Sequence, residues 1–350
     1  MSLTQPLRLL VIAGGPSVEH EVSIMSARTV LDAVSKILTF EPRLLIVTKE
    51  GRILCEDESK KALLEGAAVQ GGDLSFGQQP LSEMCDVVFP LIYDWNGLGG
   101  SSQLLAEISG VPYIGSGPLA NAILVDKPLT KTMVSALGIP QVRYIAFSRD
   151  EYTKKPDDIN QQAATLTLPL FVKPASLGSS VGISKVDSYA TLSDAVRDAF
   201  RYDRRVIVEE GVHDARELEV AIIGTQGTPR ARPVGEIRFK GDFWGYQMKY
   251  TLGGSQFYCP ADIPKTLSDD IQKYALEIYK LLDCNGFARF DFFWDHKSGD
   301  LYFNEGTSNP GLTPNSALPK LVAAMGIDWV EFVENLVFMA QDRHIRAREY

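Results

Sequence analysis

Cysteine is scarce here, and what there is lies scattered. The four thiols, Cys55, Cys85, Cys259 and Cys284, show neither the close spacing of a zinc site nor the framework of a disulfide-stapled domain. Reduced thiols in a cytosolic protein are the simplest reading. The four histidines, His20, His213, His296 and His344, form no ligand-spaced cluster, so no histidine metal centre is expected. Long apolar runs are missing: nowhere do roughly 18 apolar residues stand together, which leaves no transmembrane helix. The run within MSLTQPLRLLVIAGG is too short for a signal peptide. Net positive charge is also missing. Thirty-five basic against 44 acidic residues give −9, which argues against a dominant nucleic-acid or anionic-membrane role. With no internal repeat and no low-complexity tract, the expectation is a cytoplasmic globular protein with no nucleic-acid or membrane partner.

What is present is a chain of 350 residues, 45% hydrophobic and 23% charged, long enough to bury a sizeable core in two or three domains. LRLLVIAGG reads as a buried strand ending in a glycine turn. SVEHEVSIMSARTVLDAVSKI reads as a helix with Ser17 as candidate cap. PRLLIVTK and CDVVFPLIY are further apolar strands, and GSSQLLAEISGVPYIGSG is helix, glycine stop and short strand. Strands alternating with helices predict a parallel or mostly parallel sheet over 1–121. DKPLTKTMVSALGIPQVRYIAF is a helix and then a strand. PLFVKPASLGSSVGISKV is a strand pair around a Gly/Ser loop. With the helix TLSDAVRDAFRY and the strand RVIVEEGV these make a small α+β unit at 122–210. From 211 to 350, ELEVAIIG, RARPVGEIR, GFARFDFFWD and DLYFNEG predict a mostly antiparallel sheet. A helix near 268–283 and the amphipathic helix in GIDWVEFVENLVFMAQDR accompany it.

Lys173 ends the apolar run LPLFVK and precedes PASLGSSVG. A lysine at a strand end beside a Gly/Ser loop suits phosphate. The ammonium supplies charge, and small residues let N–H groups and hydroxyls approach oxygen anions. On its own the pattern fits a solvated lysine before a hairpin turn better, and the loop is neither a Walker A motif nor a Rossmann fingerprint. Asp291 and Glu305 lie in strands joined by DHKSGD, and counted from that turn they face each other. Two such carboxylates repel unless a cation lies between them. An oxygen-only donor set points to Mg²⁺ or Mn²⁺ rather than zinc. The neighbours Phe290, Phe292, Phe293, Tyr302 and Phe303 favour a cleft over an open sheet face. Arg289, two residues before Asp291, shares its face. It suits either the neutralising of a developing oxyanion or a plain salt bridge to one of the acids. The strand is expected to end on Glu305, with EGTSNPG a loop in which Gly306 and Gly311 adopt unusual φ/ψ and Pro310 fixes a turn. Glu209 and Glu210 end a strand that suits a nucleotide's ribose hydroxyls, although each acid taken singly reads better as surface charge. The Gly- and Tyr-containing segment 241–258 reads as a mobile lid that keeps water from a reactive intermediate.

Taken in order, GGPSVEHEVSIMSA, FVKPASLGSSVGISKV, YQMKYTLGGSQFYCPA, GFARFDFF and FNEGTSNPGLTPNSALP resemble the ATP-grasp ligases, and within them the D-alanine–D-alanine ligases. The resemblance covers nearly the whole chain. It implies an α/β protein of ATP-grasp fold, an N-terminal parallel α/β domain (1–121) followed by two α+β lobes (122–210 and 211–350) clasping ATP. It implies that ATP phosphorylates the carboxylate of one amino acid, that the amine of a second attacks the acyl phosphate, and that ADP and phosphate leave. D-Alanyl-D-alanine for peptidoglycan synthesis is the implied product, and ATP with Mg²⁺ (or Mn²⁺) the implied cofactor set. Lys127 and Lys173 match the nucleotide-phosphate lysines, Glu209 an adenine-side acid and Glu217 the ribose acid. Lys249 matches the lysine that reaches the γ-phosphate. Asp291 and Glu305 match magnesium ligands. Glu19 matches the acid that holds the first substrate's ammonium, with Ser179 and Tyr250 linking it to the closing loop. Arg289 and the backbone N–H of Gly311 match the oxyanion site, and Ser316 matches a contact to the second substrate's carboxylate. The family often forms homodimers through its first domain, an expectation by analogy alone.

Departures from the family's pattern lie on the substrate and metal side. Where the family has HG followed by GEDG, this chain reads YDWNGLGG, with Tyr93 for the histidine and Leu98 and Gly99 for the two acids. The Glu-x-Asn metal motif becomes Glu305-Gly306-Thr307, with an asparagine two residues later at Asn309, and NSALP stands for HSLVP. The ATP lysines are spared. Thr307 or a water is therefore expected to complete the metal's shell, with Asn309 facing substrate or steadying the loop. Tyr93 and Leu98 are expected to reshape the first-substrate pocket. Two other readings stay open, a relative that joins different amino acids and a nucleotide-binding protein without ligase activity. Arg289 argues against the second, because a pure binder has no use for an oxyanion arginine.

Overall fold

A computed structural model describes residues 5–65, 80–93, 99–239 and 255–348. LRLLVIAG forms β1 (Leu7–Gly14), flanked by the parallel strands β2 (Phe40–Val47) and β3 (Val87–Pro90) in the order β2-β1-β3. The run is apolar throughout because both faces of the sheet are covered. Leu9, Val11 and Ala13 enter one core cluster, and Leu10 and Ile12 enter another on the opposite face. The first helix, His20–Val34, connects β1 to β2 and lays Ala27, Val30 and Val34 onto the first of these clusters. Ser17 sits ahead of the expected cap position. Its Oγ accepts the Glu19 N–H at 3.0 Å, and Glu19 itself occupies the N-cap.

The strands β4 (Tyr144–Ser148), β5 (Leu170–Pro174), β6 (Ser184–Val186) and β7 (Arg205–Glu210) make a second, antiparallel sheet in the order β4-β7-β5-β6. It has a core of its own, in which Val172, Val206 and Val208 meet Leu192, Val196 and Phe200. A third sheet holds β8 (Arg216–Gly224), β10 (Gly235–Phe239), β11 (Ser255–Tyr258), β12 (Gly286–Trp294) and β13 (Leu301–Thr307) in the order β11-β10-β8-β12-β13. The short β9 (Arg230–Ala231) pairs with β8, and all these pairings are antiparallel. One face of this sheet carries the helix Lys265–Leu281. Helices Pro118–Val125 and Lys127–Ser135 join it there through Ala120, Leu124 and Val134, which pack with Phe290 and Phe292.

On the other face Ile223 and Phe287 share a cluster with Leu9, Val11 and Leu312, and with Phe332 of the last helix, Trp329–Ala347. Each fully buried Leu, Val or Phe contributes roughly 1.5–3 kcal/mol, so a cluster of this extent binds the first and last parts of the chain into one packed body. Arg343 of the last helix adds a polar tie. It donates to the Tyr113 carbonyl at 2.9 Å and lies 4.1 Å over the Tyr113 ring. The four-stranded sheet faces this body across a cleft, and its separate core leaves polar contacts as the main link. All four cysteines are free thiols. Among the described residues no helix is long and apolar enough to cross a membrane.

Candidate active site

The third sheet puts a row of carboxylates at one register. Asp291 on β12 lies opposite Glu305 on β13 and opposite Glu219 on β8. The pairing with Glu305 depends on a detail of β13. Phe303 and Glu305 are two apart and would ordinarily share a face. The ladder slips between Asp291 and Phe292, so that Asn304 is the extra residue of a bulge. Phe303 can then pair with Phe292 in the core, the rings 5.7 Å apart, while Glu305 faces the cleft with Asp291. The strand also runs further than the sequence suggests. It continues to Thr307 opposite Arg289, with Gly306 opposite Phe290. Neither Gly306 nor Gly311 has a positive φ. What glycine supplies at both is room: a Cβ on Gly306 would stand 2.7 Å from the Phe290 ring, and one on Gly311 would stand 2.8 Å from Ser316 Oγ.

Arg289 is held among these acids. Its Nε and Nη2 donate to the two oxygens of Asp291 at 2.8 and 2.7 Å, a bidentate pair, and Nε lies 3.6 Å from Glu219. Burial works against the charge, but the Asp291 and Glu219 carboxylates outweigh it and hold the guanidinium's pKa above its ordinary value. Both roles expected for Arg289 are thus compatible, since the salt bridge is what aims it.

The lysines approach from two elements, Lys127 from a helix packed on the third sheet and Lys173 from the four-stranded sheet. Lys127 opens the helix Lys127–Ser135, whose N-cap Asp126 accepts the Leu129 N–H at 2.9 Å and is fixed in turn by Arg205 at 2.6 Å. Lys127 Nζ donates to the Leu177 carbonyl and stands 3.6 Å from Glu305. Lys173 ends β5, where its Nζ meets Glu209 Oε2 at 2.5 Å. The other oxygen of Glu209 is 3.1 Å from Lys131, a residue the sequence reading passed over. Burial would raise the Glu209 pKa, but Lys131 and Lys173 overcome it and pull the carboxyl below its usual range. Burial also drives Lys131 below the ordinary lysine value, with Lys173 adding to it. For Lys173 the attraction of Glu209 and Glu305 exceeds the burial effect and raises the pKa. Glu217 lies on β8 at the register of Phe293, two residues from Glu219 on the same face.

Glu19 reaches this centre from the first domain. Its Oε1 accepts a hydrogen bond from the Ser179 hydroxyl, across a gap between domains. The Gly/Ser loop is bent to allow it: Ser179 and Ser180 have φ of 53° and 59°, a left-handed conformation that costs a non-glycine residue about 1 kcal/mol or more. A Cβ on Gly178 would come within 3.0 Å of Glu19 Oε2. On the substrate side, Ser316 Oγ lies 2.8 Å from Thr313 Oγ1. Thr307 Oγ1 accepts the Asn309 N–H at 3.2 Å, and the Asn309 amide donates to the Ile92 carbonyl at 3.3 Å. Asn309 thus steadies the loop. Tyr93 is buried, and its hydroxyl donates to Ser26 Oγ at 2.8 Å, so the phenol is directed at the first helix. Gly99 packs against the Asn121 carbonyl, where a Cβ would stand at 2.6 Å. Leu98, Lys249, Tyr250 and segment 241–254 of the expected lid lie outside the described residues.

Among the described residues no group of three or more His, Cys, Asp or Glu side chains could cage a metal. A facing carboxylate pair is nevertheless what Mg²⁺ needs. That ion keeps waters and binds through one or two carboxylates plus substrate phosphates rather than an all-protein cage. Asp291 and Glu305, with the ammonium groups of Lys127 and Lys173 beside Glu305, fit that donor set. Two charged residues were missed from the sequence, and each carried a signal. Lys131 is one helical turn beyond Lys127 on the same face, and Glu219 is two residues beyond Glu217 on the same strand face.

Two family models match the chain, "D-ala D-ala ligase N-terminus" over residues 8–116 and "D-ala D-ala ligase C-terminus" over 133–338. A D-alanine–D-alanine ligase of Deinococcus radiodurans is 45% identical over 334 residues, which cover 95% of this chain and 98% of that protein. Among solved structures, the VanG D-Ala:D-Ser ligase from Enterococcus faecalis superimposes with a TM-score of 0.82 at 31% identity, covering 96% of this chain and all of that one. The D-alanine-D-alanine ligase from Coxiella burnetii gives 0.80 at 29% identity, covering 98% and 97%.

Proposed function

The chain belongs to the D-alanine–D-alanine ligase family, whose members are ATP-dependent and form ADP, and from that premise we propose that it joins two D-alanines through an acyl phosphate in the cytoplasm. The observation that carries the proposal is the meeting of Asp291, Glu305 and Arg289 with Lys127 and Lys173 in one cleft. A protein that only bound nucleotide would have no use for an oxyanion arginine, and Arg289 is half-buried among these acids.

In this reading Lys127 and Lys173 hold the phosphates of ATP, while Glu209 and Glu217 serve its adenine and ribose sides. Asp291 and Glu305 would hold Mg²⁺ (or Mn²⁺), and Thr307 or a water would complete its donor set. The bound cation supplies screening of the phosphate charge. Glu19 takes the ammonium of the first amino acid, and Ser179 orients Glu19. The carboxylate of that amino acid attacks the γ-phosphorus, and ADP leaves. The amine of the second amino acid, its carboxylate on Ser316, then attacks the acyl carbon. Arg289 and the Gly311 N–H meet the charge that gathers on the carbonyl oxygen. The carbonyl reforms as phosphate departs, and the amine gives up a proton. Lys249 and Tyr250 close the site. The division into 1–121, 122–210 and 211–350, and a homodimer through the first part, belong to the same proposal.

Phosphate release from ATP with a panel of D- and L-amino acids, products read by mass spectrometry, is the test. Release with D-alanine alone, yielding the dipeptide, is expected, and release with no amino acid of the panel refutes the reading. A second reading, ligation of D-alanine to a different amino acid, is favoured by the redirected Tyr93 and Asn309 side chains. Release that requires D-alanine together with another amino acid selects it.

A further inference from the structure

The departures at 93 and 307 are far apart in the sequence, yet in the fold they are neighbours, joined through Asn309. The residues that follow β3 are fixed from below: Leu91 N–H donates to the Ile12 carbonyl at 2.8 Å, and the Leu91 carbonyl accepts from Ser23 Oγ at 2.6 Å. The next carbonyl, that of Ile92, receives the Asn309 amide. The next side chain, that of Tyr93, donates to Ser26 Oγ, and the same Ser26 Oγ accepts the backbone N–H of Leu312 at 3.1 Å. Ser26 is fully buried, so water does not compete for its oxygen. Leu312 is buried as well, in the cluster that joins the first domain to the last part of the chain. Val22, one turn before Ser26, lies under Gly311.

We propose that Tyr93, Ser26 and Asn309 are positioning residues that latch the loop 309–312 onto the first domain and thereby set the Gly311 N–H and Ser316 for the second amino acid. The proposal rests on the ligase reading above. Two hydrogen bonds separate Tyr93 from the peptide N–H that follows Gly311. Ser26 Oγ serves both, because a hydroxyl oxygen has two lone pairs. The Tyr93 hydroxyl uses one and so leaves the Leu312 N–H a single direction of approach. Asn309 holds the other end of the loop to the neighbouring carbonyl. Where the family's pattern has a histidine at 93, this chain thus has a structural tie, and the tie bears on the second substrate rather than on ATP.

Three variants of the full chain test this: Tyr93→Phe, Ser26→Ala and the double. Each is read for kcat, for the KM of ATP and of each amino acid, and for amide hydrogen exchange in a peptide spanning 308–318. Tyr93→Phe keeps the ring and removes one neutral hydrogen bond. It should raise the second amino acid's KM, or lower kcat, by about three- to tenfold, with the ATP KM unchanged and exchange in the loop faster. The double variant should be no worse than Ser26→Ala, because both act through one oxygen. Additive effects of the two substitutions would overturn the latch, as would unchanged exchange, or faster exchange with unaltered kinetics. A parent chain that releases no phosphate with any amino acid would overturn the functional reading, and this role with it. An active parent with an unaffected Tyr93→Phe variant overturns the latch alone.

Discussion

Replacing Lys131 by methionine should weaken ATP binding while leaving the amino-acid KM values alone. Lys131 is enclosed on all sides and shares Glu209 with Lys173, one ammonium on each carboxylate oxygen at 3.1 and 2.5 Å. Burial and the nearby Lys173 both disfavour the Lys131 charge, which Glu209 and the more distant Glu305 support. The two lysines therefore divide one carboxylate between them. Methionine fills a similar volume and removes one of the cations. Stranding a buried charge costs about 3–5 kcal/mol. Here Lys173 stays on Glu209, so the loss of stability should be nearer 1–3 kcal/mol, roughly the worth of one hydrogen bond to a charged group. The same change makes Lys173 the sole counter-ion of Glu209 and draws it from the phosphates. If the phosphate contact weakens by about 1.4 kcal/mol, ATP affinity falls tenfold. Titration calorimetry with ATP and urea denaturation read the two effects on one sample. A stability loss with ATP affinity within about twofold of the parent would show that Lys131 only supports the fold, and the redistribution argument would fail. The double variant with Glu209→Gln should lose less than the sum of the single losses.

Lys173→Ala should abolish ligation and weaken ATP binding by about 1.5–3 kcal/mol, read by calorimetry and phosphate release; near-native turnover would remove Lys173 from the phosphate site. The depressed pKa of Glu209 sets a direction for acid unfolding. A carboxyl whose folded pKa is lowered contributes stability that is present above its unfolded value of 4.5 and is lost as pH falls through the folded value. Urea stability should therefore decline below that pH, and Glu209→Gln should flatten the decline; an equally steep decline in the variant contradicts the assignment. Thr307→Asn carries an oxygen one atom further toward Asp291 and Glu305, so it should lower the free Mg²⁺ that activity requires beyond the formation of Mg-ATP. An unchanged Mg²⁺ titration would mean that position 307 does not serve the metal.

The parts of this protein that were legible in its sequence are those governed by period and by local turn chemistry. The apolar run of β1, covered on both faces, announced a parallel sheet, and the alternation in GFARFDFFWD put Arg289 and Asp291 on one face. Counting from DHKSGD brought Asp291 opposite Glu305, and the ladder agrees, by way of a bulge. The count took no account of the extra residue at Asn304, and the slip lies between the turn and the acids. A bulge of this kind leaves no period behind. It is set by the demand that Phe303 reach the core while Glu305 reaches the cleft, which is a tertiary demand. The end of β13 was misjudged for a related reason. Gly306 and Thr307 look like loop residues, yet Phe290 and Leu124 leave room there for nothing larger than glycine, and pairing continues beneath them.

The substrate side was legible only as departures, and the physical reason lies in how its contacts are made. On the ATP side, charge meets charge: Lys173 with Glu209, Lys127 with Glu305, Arg289 with Asp291. Such partners declare themselves by residue type, whatever distance separates them along the chain. On the substrate side a neutral amide meets a backbone carbonyl 217 residues away, and a hydroxyl meets another hydroxyl that also serves a peptide N–H. Every residue has a carbonyl and an N–H, so neither side of such a contact marks the other. A change from histidine to tyrosine at 93 therefore reads in the sequence as the loss of a substrate contact. In the fold the same tyrosine gains a fixed partner, and Asn309 grips the adjoining residue. Contacts of that sort make the substitution at 93 a poor guide when considered singly. Restoring a histidine at 93 alone would leave Ser26 with one partner fewer and the loop with Asn309 as its remaining tie to that strand. Recovery of the family's histidine at 93 should accordingly reduce activity, read as kcat with the second amino acid.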